Sequence, residues 1–165
     1  MIKLTPLAKP QAGVRCFMGW FNYYGLAVMV VILIPNVIFA VCNKNGFENL
    51  WHNKFVEIAE QAGRFSCFGF MIFNIPKTSF GFWFKDALIA YLVVNGVLVT
   101  AYCVIWAVCF KKNGIFRALA LSVLPSVMFI ADGIILLFVP LIVAGAIFAP
   151  CHILLSYKNA DGTKK

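Results

Sequence analysis

The chain has 165 residues, of which 62% are hydrophobic and 12% charged, and a formal net charge of +8. Soluble domains carry about 45–50% apolar and about 25% charged residues, and 17 phenylalanines cannot be packed into so small a soluble core without leaving apolar surface in water. The basic excess does not mark a nucleic-acid partner: Lys and Arg stand singly or in pairs beside predicted helix ends, where they set membrane topology.

Residues 1–17 form a polar N-terminal tail with Pro6, Pro10, Lys3, Lys9 and Arg15. Met18 then opens Met-Gly-Trp-Phe-Asn-Tyr-Tyr, in which Trp20, Tyr23 and Tyr24 suit a headgroup belt. This reads as a natural start, with 1–17 as an upstream extension. Residues 18–157 make up a single transmembrane helical domain, and 158–165 a basic C-terminal tail.

Segments 16–43, 87–110 and 133–157 contain no Asp, Glu, Lys or Arg. Each exceeds the roughly 20 residues that cross about 30 Å of hydrocarbon. A cleavable signal peptide is not expected, because the first run is too long and Val41-Cys42-Asn43 is a poor cleavage site. Helix 1 is predicted over about 24–42. Pro35 lies in its middle and frees a backbone carbonyl that Asn36 or a neighbouring helix could satisfy.

The segment 49–75 is only half apolar. Its first part carries His52, Lys54, Glu57, Glu60 and Arg64, whereas 65–75 is uncharged. Eleven residues cover about 16 Å, roughly half the hydrocarbon thickness. Helix 2 either ends at Pro76 or bends there and continues toward Phe84. Either way an ionisable group enters the apolar slab, where charges are paired and turned from lipid. Glu60 and Arg64 are spaced i, i+4 with the acid first, the favourable order. Glu57, Glu60, Gln61 and Arg64 share one face; Phe55, Ile58, Ala59 and Ala62 lie mostly on the other. The face is either a structural ion pair at the interface or a polar pocket at the cytoplasmic mouth of the bundle.

The aromatic cluster at 80–84 belongs to the interface. Helix 3 follows over about 87–110, with Asn95 and Thr100 as polar points. The short turn at 111–114 makes helix 4, about 115–131, its antiparallel neighbour. Asp132-Gly133 reads as a turn, and helix 5 as about 134–157, with Pro140 and Pro150 inside. The fold class is therefore all-α, a polytopic transmembrane bundle of about five helices, since backbone in lipid must satisfy its own hydrogen bonds.

Other polar residues expected near the pocket are Asn36, Asn74, Asn95, Thr100, Ser122, Ser126 and His152. His152, near the cytoplasmic end of helix 5, could meet Glu60 or Glu57 if helices 2 and 5 pack. The six cysteines form no C-x-x-C pair and read as small apolar residues with free thiols. His52, His152, Glu57 and Glu60 lack metal-site spacing. No G-x-S-x-G, phosphate-cradling Gly loop or paired-aspartate signature is present, so neither cofactor nor metal is expected. Ala59-x-x-x-Gly63-x-x-x-Cys67 and Gly145-x-x-x-Ala149 are stripes for close helix packing.

With five helices, Lys3, Lys9, Arg15, Lys77 and Lys85 fall on one side and the other nine basic residues on the opposite side. The positive-inside rule then places the C-terminus in the cytoplasm. The strings Ile34-Pro35-Asn36, His52-Asn53-Lys54, Glu60-Gln61-Ala62-Gly63-Arg64, Phe73-Asn74-Ile75-Pro76, His152-Ile153 and Ser156-Tyr157 together resemble a group of small, uncharacterised bacterial integral membrane proteins with about five spans. The resemblance implies a cell-membrane location and no particular activity. Three functions fit: small-molecule or ion handling as a homo-oligomer, an accessory or sensory subunit among other membrane subunits, and an intramembrane enzyme acting on lipid. The candidate polar residues are Glu57, Glu60, Arg64, His152, Asn36, Asn74 and Asn95.

Overall fold

The computed structural model describes residues 19–43, 50–75, 78, 81–111 and 114–162. Five helices follow one another: α1 (Tyr23–Cys42), α2 (Lys54–Ile72), α3 (Ala87–Cys109), α4 (Ile115–Ile135) and α5 (Val139–Gly162). The architecture is all-helical; among the described residues the strand-type pairing is an isolated antiparallel bridge, Phe21 with Phe73. Four helices, α1, α3, α4 and α5, are long and apolar enough to cross a membrane.

Local chemistry sets the starts. The Asn22 side chain accepts from Gly25 N at 3.0 Å, and the Asn53 side chain accepts from Val56 N at 3.3 Å. Each satisfies a donor that a helix leaves orphaned at its first turn. Pro35 and Pro125 stay inside their helices, and Pro140 sits in the first turn of α5, where a missing N–H costs little.

The helices alternate in direction. At the near end, Asn22 N donates to Ile72 O (2.7 Å) and Asn74 N to Trp20 O (2.9 Å), joining the start of α1 to the end of α2. There too Trp83 Nε1 donates to Ile134 O at the end of α4. At the far end, Leu50 N and Trp51 N both donate to Asn159 Oδ1 at 3.0 Å, joining the entry of α2 to the end of α5. Phe39, Trp106 and Phe110 cluster there, with the Arg117 guanidinium 4.8 Å from the Phe39 ring. The 19 residues of α2 cover about 28 Å, so it runs the height of the bundle beside α1 and α5.

Close approach fixes these contacts. A Cβ on Gly63 would lie 2.9 Å from Phe148 Cβ and 3.0 Å from its Cα, so α2 and α5 touch backbone to backbone there. A Cβ on Gly25 would collide with Met71 O, which holds α1 against α2. The Gly63–Cys67 part of the small-residue stripe faces α5, whereas Gly145 of the α5 stripe faces Ile130 on α4. Met71, Met128, Phe129, Phe138, Leu141 and Phe148 fill the interior. Such packing matters more in lipid, where helix association gains little from the hydrophobic effect.

One alternative is settled and three sequence expectations change. Helix 2 ends at Ile72, before Pro76, which lies outside the described residues. Asp132 is no turn residue: α4 continues through it to Ile135 and buries it fully. The real break is a Schellman closure at the end of α4, with Leu137 N bonded to Ile134 O, Phe138 N to Gly133 O, and Leu137 at φ 46° in the position glycine favours. Helix 5 therefore starts at Val139 and runs to Gly162, into the stretch expected as a tail. Asn36 does bond a backbone carbonyl beside Pro35, but it is that of Ile32 rather than the Val31 carbonyl the proline frees. The predicted N-terminal tail, residues 1–17, lies outside the described residues.

Candidate functional site

The site grows from α2. Its buried stripe is Glu60, Gly63, Cys67 and Met71, and its outward side carries Phe55, Ile58 and Phe65. The helix is thus inverted relative to a surface helix in water, whose apolar stripe would turn inward. Glu60, the polar member of that stripe, meets His152 of α5.

Glu60 is fully buried. Arg64 Nε donates to Glu60 Oε1 at 3.0 Å, and Arg64 Nη2 donates to the same oxygen. His152 Nδ1 lies 2.8 Å from it as well. The i, i+4 spacing makes the first partner local, and the tight α2–α5 contact at Gly63–Phe148 supplies the second. Phe148 stacks on the His152 ring at 4.6 Å between centroids and 20° between planes, fixing the imidazole edge toward the carboxylate. Three nitrogens thus converge on one oxygen, while Glu60 Oε2 is buried with no partner among the described residues. Glu60 stands six residues into α2, about 9 Å from its far-end start.

That arrangement can hold a negative charge against two basic groups in a low-dielectric setting. His152 is within proton-transfer distance of the carboxylate, and Oε2 offers a vacant acceptor beside it. Arg64 is about one-third exposed, so the guanidinium also reaches the outside of the bundle.

The remaining candidates go elsewhere. Glu57 lies one turn nearer the far end, with His52 Nδ1 at 3.5 Å, so the two His and two Glu form separate pairs. Asn36 Nδ2 donates to Tyr102 OH at 2.7 Å and ties α1 to α3. Asn74 Nδ2 donates to Gly19 O at the near end. Asn95 Nδ2 donates to Tyr91 O and to Asp132 Oδ1, at 2.9 and 2.7 Å. Thr100 faces outward, and the hydroxyls of Ser122 and Ser126 bond carbonyls of their own helix. Gln61, expected on the polar face, is exposed. An apolar crevice lined by Ile32, Leu98, Tyr102, Leu124 and Met128 bears no ionisable group except the Tyr102 phenol. Asp132 and Tyr102 are partners that sequence reasoning did not place in any site.

No protein-family model matches the chain, and neither a curated protein nor a solved structure matches it.

Proposed function

We propose that the chain is a multi-pass protein of a cell membrane that crosses it five times, C-terminus in the cytoplasm, and handles an ion or small molecule at Glu60, Arg64 and His152. The observation that carries the reading is the fully buried Glu60 carboxylate, bonded through one oxygen to two basic side chains while the other stays unpartnered. An ionisable group at membrane depth is costly, which makes it a candidate for a pathway or site.

The fifth crossing is supported by the course of α2, which runs end to end between α1 and α5 with its apolar residues outward. The basic-residue count supports the orientation. The bacterial setting rests on the resemblance of the short motifs. An oligomer is supported by the interior itself: Phe148, Cys67 and Met71 fill the space above Glu60, so a path for solute runs between copies rather than through one.

The test is flux in proteoliposomes holding the purified chain. A proton-sensitive dye inside, with imposed Na⁺, K⁺ or pH gradients, should report transport that Glu60→Gln abolishes while leaving the melting transition in place. Flux equal in wild type and Glu60→Gln refutes the site. Native mass spectrometry in mild detergent should show more than one copy; a monomer that still transports refutes the oligomer.

A further inference from the structure

A second carboxyl is buried at the other end of the bundle. Asp132 lies one turn from the end of α4, fully enclosed, and faces α3. Both amide hydrogens of Asn95 are engaged, one by Tyr91 O and one by Asp132 Oδ1. One oxygen of each member of this bonded pair remains, Asn95 Oδ1 and Asp132 Oδ2. Each is buried and without a hydrogen-bond partner among the described residues.

Among the described residues the surroundings hold no compensating charge. α3 carries no charged residue at all; its polar groups facing Asp132 are Asn95 and Tyr91. On α4 the other ionisable group is Arg117, fifteen residues away and about 22 Å along the axis. Phe138, just before α5, donates its N–H to Gly133 O, and α5 meets this stretch with Ile142, while its His152, Lys158 and Asp161 lie toward the far end. α2 approaches α4 with Phe68 against Phe129. Lys85 and Asp86, at the near end, are exposed.

Among the described residues the enclosed carboxyl meets no cation and accepts one hydrogen bond, from Asn95, an arrangement strongly disfavoured for a charged group; the Tyr91 hydroxyl, also buried, makes no bond to it. A single proton resolves both orphan oxygens together: on Asp132 Oδ2 it is donated to Asn95 Oδ1, while Asn95 Nδ2–H is donated to Asp132 Oδ1. The result is a closed acid–amide ring of two hydrogen bonds. A metal ion fits less well, since hard cations take six or more oxygen ligands and this pair offers two.

We propose that Asp132 and Asn95 form a proton-binding site, loaded from the near end of the bundle, in which one dissociable proton bridges Asp132 Oδ2 and Asn95 Oδ1. Loading converts the carboxylate to the acid by taking one proton from water at that end, and release returns it there. Release leaves two acceptor oxygens facing one another and so weakens the α3–α4 contact. The site is independent of the Glu60 group: Phe148 and Phe129, which pack together between His152 and Asp132, are apolar.

The test is infrared spectroscopy of the full chain in nanodiscs, with all Asp side chains labelled with carbon-13 at the carboxyl. The chain has three Asp residues, and Asp86 and Asp161 are exposed. Replacing both by Asn leaves Asp132 the sole labelled group without touching the pair. A protonated-acid carbonyl band at neutral pH that moves with the label, shifts in heavy water and is absent from Asp132→Asn is the expected result. A labelled band that is wholly carboxylate at neutral pH overturns the proposal. So does a melting temperature that climbs with NaCl but not with choline chloride, which assigns the pair to sodium. Neither readout depends on transport, so loss of the Glu60 reading would leave this one standing.

Discussion

Replacing Arg64 with Leu removes both guanidinium bonds to Glu60 Oε1 and leaves the buried carboxylate with His152. Breaking a buried pair by deleting one partner costs about 3–5 kcal/mol, because the survivor is stranded. Two features favour the lower end: His152 Nδ1 stays 2.8 Å from the oxygen, and Arg64, one-third exposed, contributes less than a buried cation would. The expected loss is therefore about 3 kcal/mol. Adding Glu60→Leu removes the stranded charge and sets two leucines along α2. Exchange of a buried pair for apolar side chains is neutral or stabilising by about 1–4 kcal/mol, so the double variant should recover most of the loss. The assay is reversible unfolding in mixed micelles, titrated with a denaturing detergent and followed by helix content for wild type, both single variants and the double. An Arg64→Leu protein within about 0.5 kcal/mol of wild type would refute the reasoning, as would a double variant no more stable than Arg64→Leu. If the double variant folds well yet transports nothing, the pair serves function rather than architecture.

Gly63→Ala forces a Cβ against the Phe148 backbone and should destabilise by about 1–3 kcal/mol in a melting experiment. Gly69→Ala on the same helix meets nothing within 4 Å and should be neutral or gain up to about 1 kcal/mol. Asn159→Ala takes the acceptor from Leu50 N and Trp51 N; it should cost about 1 kcal/mol and speed limited proteolysis near Trp51 at unchanged helix content. Cys42 is exposed at the far end and Cys67 fully buried. A membrane-impermeant maleimide should label Cys42 from the side that exposes a C-terminal tag and reach Cys67 only after denaturation, as peptide mass spectrometry would report.

Helices 1 and 3 were legible because uncharged runs stop at turn-forming or basic residues, Asn43 and Lys111, and their ends fall within a residue of expectation. The α4–α5 boundary was not. Asp132-Gly133 has the local chemistry of a turn, and nothing local records that Asn95, 37 positions earlier, satisfies the carboxyl. The left-handed position went to Leu137, which no propensity favours. A signal was nonetheless present: helices 3 and 4 are joined by a short connection at 111–114, and Asn95 and Asp132 each lie roughly five turns from it, at matched depth on antiparallel neighbours. The Glu60–Arg64 pair was readable from its spacing. Its junction with His152 required the α2–α5 contact, which Gly63 permits but does not announce. Tyr102 went unread because a tyrosine in an apolar run looks like packing until its hydroxyl finds Asn36.

The orientation of α2 decides between two environments for its charged half. A helix lying on a membrane surface would turn Glu60 and Arg64 to water and sink Phe55, Ile58 and Phe65. Here Glu60 is fully buried against α5, while those three apolar side chains are exposed on the outside of the bundle. That pattern is unfavourable in water and favourable in hydrocarbon, where outward apolar groups have a matching solvent and inward polar groups have partners. Composition alone leaves α2 out of the set of helices able to cross; its partners and its length are what support the proposed fifth crossing. In that proposed crossing, α2 is held by the clamp of Arg64 and His152 on one carboxylate oxygen. Loss of that clamp should therefore release α2 before any other helix, seen as faster amide exchange from Lys54 to Gly63 while α3 and α4 stay protected.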